Sequence, residues 1–180
     1  WYLGLEAVEE CLNLIKKYNI DCSLVNGVLS AGCFNNDFKE FDSELNYLLK
    51  NYNFNGYKIF NKNQIKHQIN SNIYKSGLLN LNSYHINPLK FLIGLSKILI
   101  KKNVKIFENT PVLSLVDHKH YIKVNCKKNK IKAKKVVVAC NGYLDKLLNN
   151  KSNIFMPINN YVIATEPLGE EKAKEIIHNN

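Results

Sequence analysis

Residue types able to do chemistry gather in few places in this sequence, chief among them the run Val136-Val137-Val138-Ala139-Cys140-Asn141-Gly142-Tyr143. Its apolar start shows no polar alternation, which describes a strand buried on both faces of a parallel sheet. The small residues that follow break the strand, and 143–148 read as the start of a helix. In open α/β sheets, ligands bind outside the carboxyl ends of strands, where small residues let backbone amides come close. Ala139, Asn141 and Gly142 meet that need. The same order of strand, small residues and helix occurs in any α/β protein, so the run alone leaves its chemistry open.

Other constellations are missing. The sequence contains no GxGxxG, no phosphate-binding GxxxxGK[ST], no HExxH and no GxSxG. His118 and His120 flank Lys119 before a β-rich run, the pattern of a solvated turn rather than of metal ligands. Glu166, between Thr165 and Pro167, reads as a solvated turn carboxylate. His67 and His178 lie on polar helical stretches with no partner pattern. Cys11, Cys22, Cys33, Cys126 and Cys140 are odd in number and no two have CxxC spacing. They indicate neither a zinc site nor a disulfide framework, and reduced thiols point to a cytoplasmic protein.

Composition narrows the class. With 180 residues, 46% hydrophobic and 22% charged, the chain suits one globular domain or parts of two and is no disordered tail. The longest apolar run, 91–100, is broken by Gly94, Ser96 and Lys97 and falls short of the roughly 18 to 20 residues of a membrane span. Formal charge is +10, yet arginine is absent and the lysines form scattered pairs such as Lys101-Lys102, Lys127-Lys128 and Lys134-Lys135. Without the bidentate arginine fork, and without aromatic residues interleaved among clustered positives, the pattern argues against nucleic-acid partners. Abundant Asn, Lys and Ile fit a compositional drift; a lysine-rich module recruiting nucleic acid or an anionic surface is the alternative. The first residue is Trp1 and the one methionine is Met156, which predicts an internal fragment of a longer polypeptide.

The elements that must position these residues follow from periodicity. Leu5, Val8, Leu12 and Ile15 predict an amphipathic helix over about 3–18. Two short apolar runs around Asn26-Gly27 predict a hairpin. Phe38, Phe41, Leu45, Leu48 and Leu49 mark a second helix after Asn36 and Asp37, stopped within 51–56. A strand at 57–60, a short helix within 61–69 and a strand from 74 lead to Tyr84-His85-Ile86-Asn87-Pro88, where proline opens a helix with a wide apolar stripe. Short β-rich runs follow at 104–107, 112–116, 121–124 and 129–132, then the 136–139 strand, a strand at 161–164 and a helix from about Glu170.

The order of these segments resembles the FAD-dependent oxidoreductases of the glycine/D-amino acid oxidase (DAO) family over nearly the whole chain. Gly4-Leu5-Glu6-Ala7-Val8-Glu9-Glu10, Ile20-Asp21-Cys22 and Asn26-Gly27-Val28-Leu29 are similar to the stretch after that family's dinucleotide-binding unit. His85-Ile86-Asn87-Pro88-Leu89-Lys90, and Asn103 through Pro111-Val112, look like its second visit to the FAD domain. Ile131 through Tyr143 is similar to its cofactor-contact segment, and Pro157 through Leu168 to its return to the substrate domain. Asn141 at the third place of the 139–143 turn favours the branch that oxidises gamma-glutamylputrescine.

The resemblance implies an α/β fold: part of a Rossmann-like FAD-binding domain (1–22 and 88–150) and part of an antiparallel-sheet substrate domain (23–87 and 151–180). It implies FAD as cofactor, with the Val112 backbone at the adenine end and Ala139, Cys140, Asn141, Gly142 and Tyr143 facing the pyrophosphate and ribitol. The implied reaction oxidises the C–N bond of a small amine or amino acid by hydride transfer to FAD, giving an imine and then an aldehyde, with oxygen the expected final acceptor. D-Amino acid, sarcosine and glycine oxidation are the alternatives within the family. No catalytic residue and no metal is assigned. His85 and Pro88 read more readily as the opening of a helix than as substrate contacts. The family's glycine-rich fingerprint, whose helix-terminus amides neutralise the pyrophosphate, is absent. The 180-residue chain on its own is therefore expected to lose FAD on desalting, and a stoichiometric flavin absorbance surviving that step would show that the cofactor site is misplaced.

Overall fold

The computed structural model describes residues 1–144, 147, 148 and 158–178. Two compact units emerge, one of residues 1–104 with 165–180 and one of residues 105–164. Among the described residues no helix is long and apolar enough to cross a membrane.

In the larger unit the first helix, α1 (Tyr2–Tyr18), ends where Asn19 turns left-handed and its N–H closes on the carbonyls of Ile15 and Lys16. That reversal swings Ile20 and Cys22 back under Ile15, and the three form a buried cluster. Phe91, Leu95 and Ile98 of helix α4 (Pro88–Lys101) pack against it. Pro88 opens α4, and the Asn87 side chain caps it by accepting from Lys90 N–H at 3.0 Å. Gly94 is what lets the two elements meet, because a Cβ there would collide with Ile20 Cγ2.

The same unit holds an antiparallel sheet in the order β1–β3–β2, built from β1 (Val25–Gly32), β2 (Tyr57–Phe60) and β3 (Ser76–His85). Helix α2 (Asp37–Tyr52) and the single turn α3 (Lys62–Ile65) lie against β2 and β3, burying Leu48, Phe60, Ile65 and Leu78. A capping box starts α3: Asn61 accepts from the backbone of Gln64 while the Gln64 side chain accepts from Asn61 N–H, both at 3.0 Å. Trp1 stacks on Tyr52 and meets Phe54 edge-on, which ties the start of α1 to the end of α2. Burial, with the Glu44 carboxylate adding to it, holds the Tyr57 phenol above its ordinary value. Helix α5 (Glu170–Ile176) returns to this unit through an Ile69–Ile177 bridge and the bond from His178 N–H to the Gln68 carbonyl.

The smaller unit is an antiparallel meander of β4 (Val112–His118), β5 (Tyr121–Cys126) and β6 (Lys130–Ala133). Asn125 Nδ2 donates to Ser114 Oγ across β4 and β5 at 2.9 Å. A 3₁₀ turn, Asn141–Tyr143, follows. The fold is thus mixed α/β with two antiparallel sheets.

Four expectations from the sequence are corrected. Asn26-Gly27 does not turn the chain: β1 runs straight through it, and Gly27 at φ +97° forms a bulge opposite β3. A glycine at positive φ serves a bulge as well as a hairpin turn, so the dipeptide alone did not distinguish them. Residues 104–107, 136–139 and 161–164 are not strands. Their β-rich composition gives extended backbone, but a ladder needs a neighbour, and among the described residues none pairs with them. The expected helix at 143–148 falls partly outside the described residues, as does the stretch from 149 through Pro157.

Glycine substitutions separate the packed helix crossing from an open helix surface. Gly4 in α1 has nothing within reach of an added Cβ, so Gly4→Ala should stabilise the fold by about 0.5–1 kcal/mol through helix propensity. Gly94→Ala meets Ile20 and should destabilise it by about 1–2 kcal/mol, overpacking outweighing propensity. Urea unfolding midpoints of the two variants should move in opposite directions from the parent.

Candidate functional site

The smaller unit carries an open cleft of about 660 Å³. One wall comes from β4 and β5, through Val112, Leu113, Leu115 and Val124, and the other from residues 136–140 with Tyr143, Leu144 and Leu147. The β4 wall owes its shape to a register shift between Val112 and Ser114. With strict alternation, Val112 and Leu113 would point to opposite faces; the bulge lets both reach the cleft.

Four of the six residues expected to contact a cofactor, Val112, Ala139, Cys140 and Tyr143, line this one cleft. Asn141 and Gly142 are not among its lining and occupy the adjacent 3₁₀ turn, closed by Tyr143 N–H on the Cys140 carbonyl at 3.0 Å. Asn141 adopts φ +49°, a left-handed conformation its short amide side chain tolerates. Among the described residues an added Cβ at Gly142 would meet nothing within 4 Å. Leu144 is buried and anchors the turn, whereas the Tyr143 side chain is 93% exposed. Leu113, Leu115 and Val124 were not picked out in the sequence as site residues; the apolar spacing of β4 and β5 was visible, but the face it addresses was not.

Among the described residues the lining is almost wholly aliphatic and contains no charged side chain. Among the described residues, the backbone of 136–139 makes no hydrogen bond to a neighbouring strand, so its N–H and C=O groups are available to a ligand. Such a cleft fits an uncharged planar part of FAD: its aliphatic walls offer apolar contact to a ring, and the extended backbone can satisfy the ring's polar edge. It does not by itself neutralise a diphosphate.

Other residues singled out for chemistry lie elsewhere. His118 stacks on Tyr121 at the β4–β5 hairpin, with ring centroids 4.7 Å apart, and His120 stands in the turn itself. Glu166 is exposed at a bend. His178 Nδ1 lies 3.1 Å from the His67 carbonyl oxygen, joining two residues to which the sequence assigned nothing. Among the described residues no group of three or more His, Cys, Asp or Glu could hold a metal ion. The five cysteines are free. His85 Nδ1 sits 3.1 Å from the Gly27 carbonyl oxygen and so spends its ring on the β1 bulge.

The family model described as FAD dependent oxidoreductase (DAO) matches residues 1–180. The chain is 30% identical to the probable oxidoreductase OrdL of Haemophilus influenzae, over 99% of its own length and 42% of the relative's. It is 28% identical to the gamma-glutamylputrescine oxidoreductase of Escherichia coli, over 92% of its own length and 39% of the relative's. The chain therefore spans about two fifths of these curated relatives. Among solved structures, glycine oxidase from Geobacillus kaustophilus superposes with a TM-score of 0.69 at 12% identity, covering 84% of this chain and 41% of that one, a likeness of fold.

The left-handed turn at Asn141 makes its own prediction. Asn141→Gly should leave stability unchanged or slightly raised, whereas Asn141→Val should cost roughly 1–2 kcal/mol at that φ. Limited proteolysis after the substitution, read by mass spectrometry, should show new cleavage near residues 139–144 in the valine variant alone.

Proposed function

The chain belongs to the DAO family of FAD-dependent oxidoreductases, and we propose that it is part of an enzyme that oxidises the C–N bond of a small amine or amino acid. The observation that carries the reading is the one cleft that unites Val112, Ala139, Cys140 and Tyr143 with a lining that is uncharged among the described residues. In this reading Val112 and residues 139–143 hold FAD, Asn141 and Gly142 offering turn backbone beside the cleft. FAD supplies the two-electron acceptor when bound. The chain's own part would be to orient and to shield: the aliphatic walls would cover part of the bound group, and the backbone of 136–140 would offer it hydrogen-bonding groups. The substrate C–N bond would become C=N as two electrons pass to the cofactor, and water would then release ammonia or an amine together with an aldehyde, or a keto acid where the substrate is an amino acid. Oxygen is the proposed final acceptor.

The domain assignment is a proposal with its own support. Residues 1–22 and 88–150 form part of the FAD domain, which agrees with α1 and α4 sharing the cluster of Ile15, Ile20 and Cys22. Residues 23–87 and 151–180 form part of the substrate domain, which agrees with β1–β3–β2 being antiparallel and with α5 bonding back to residues 68–70. For the substrate, gamma-glutamylputrescine is favoured by the name of the Escherichia coli relative and by Asn141. A cytoplasmic location accords with the free cysteines.

Anaerobic mixing of the full-length flavoprotein with gamma-glutamylputrescine, sarcosine, D-alanine and L-proline in turn tests the proposal. The expected result is bleaching of the flavin band, fastest with gamma-glutamylputrescine; no bleaching with any of the four would overturn the reaction class. Ala139→Leu should fill the cleft and, by overpacking of about 1–3 kcal/mol, weaken FAD binding roughly tenfold or more. Flavin retained per protein after dialysis measures it.

A further inference from the structure

A second cleft lies in the larger unit, apart from the proposed cofactor contacts. It has a volume of about 420 Å³ and opens between the end of α1 and one face of α4. Its α4 side is a repeated pattern: Lys90, Gly94, Lys97 and Lys101 recur at spacings of four, three and four, which places them in one line along the helix. Gly94 is the gap in that line. Ile20 occupies it, so the floor between the lysines is apolar, with Ile93 and Ile98 continuing it. Tyr18 forms a side wall, and the ammonium groups of Lys17 and Lys102 stand 5.5 and 5.8 Å from its ring centroid.

Among the described residues three lysines, Lys90, Lys97 and Lys101, thus line the cleft, Lys17 and Lys102 stand over the ring of its Tyr18 wall, and Asp21 is the one carboxylate in the lining. Asp21 and Ser23 already engage Lys90, at 3.9 and 2.9 Å from its Nζ. Among the described residues, Lys97 and Lys101 have no acidic partner. Like charges one helical turn apart repel, and a dianion between them removes that repulsion. A tetrahedral dianion suits two ammonium groups better than one carboxylate would, and lysine grips phosphate as a point charge.

We propose that this cleft binds a small phosphate monoester with an apolar or ring-shaped body, its phosphate held by Lys97 and Lys101 and its body lying on Ile20, Ile93 and Ile98 beside Tyr18. The volume falls in the range of small-molecule sites, about 300–1,000 Å³. The site is independent of the redox reading, since no residue proposed to hold FAD lines it.

Isothermal titration of the FAD-saturated full-length protein with adenosine monophosphate tests the site while the cofactor site is occupied. Binding is expected, weakening with added NaCl as screened charges require. Lys97→Glu with Lys101→Glu should reduce the affinity about tenfold or more, a loss of about 1.4 kcal/mol per tenfold, with the flavin spectrum unchanged. Lys97→Gln with Lys101→Gln should show a smaller loss and guards against a folding defect in the charge-reversed protein. Lys123→Glu with Lys132→Glu, the same charge change on β5 and β6, should leave affinity intact. Equal loss in that control, no loss in the α4 variants, or inorganic phosphate binding as tightly as the nucleotide would each overturn the proposal.

Discussion

The larger unit depends on a short bonded seam between the two places where its helices hand over to its sheet. Leaving α1, the chain passes through residues 19–24 to enter β1; leaving β3, it passes through Ile86 and Asn87 to enter α4. The Asn87 N–H donates to the Cys22 carbonyl at 2.7 Å, His85 Nδ1 faces the Gly27 carbonyl, and Lys90 Nζ reaches Ser23 Oγ. Cys22, only 1% exposed, lies beneath the seam in the helix cluster. These contacts fix where α1 and α4 stand relative to the sheet. They also explain why residues as different as a histidine, an asparagine and a lysine are set so close together in sequence.

Edges without partners are the other organising fact. Residues 136–139 and 161–164 are β-prone and apolar, yet Val137 is 89% exposed and Ile163 96%. Burying such side chains is worth roughly 1.5–3 kcal/mol each, and a sheet neighbour would also satisfy their backbone groups. The cleft between β4 and residues 136–140 is open for the same reason: one of its walls is an extended segment rather than a strand locked in a ladder. That leaves its backbone free for a ligand, and it leaves the wall's position to be set by whatever pairs with or binds it.

Charge is distributed so that the two clefts have opposite character. Among the described residues the one lined by Val112, Ala139, Cys140 and Tyr143 carries no charged side chain, while the lysines of α4 crowd the other. Net charge of +10 spread along a sequence looks like compositional drift. Folding turns part of it into a local field, because Lys90, Lys97 and Lys101 share a helix face and Tyr18 brings Lys17 and Lys102 alongside.

Much of this was legible in the residues. Period-3.6 spacing located α1, α2 and α4 closely, Pro88 marked the first turn of α4, and alternating runs located β4 and β5, because these signals are local and each element satisfies its own backbone or pairs with its neighbour in sequence. The order of segments pointed to the family, and the small residues of 139–142 pointed to the turn beside the cleft. Tertiary structure alone decided the rest. Whether Asn26-Gly27 makes a turn or a bulge depends on β3, which lies 50 residues away and offers β1 a continuous partner. Whether 136–139 is a strand depends on a neighbour, since a strand exists only as one member of a pair. Leu113, Leu115 and Val124 became cleft residues only when β4 and β5 took up their register, and Gly94 acquired its meaning only when Ile20 filled the space it leaves.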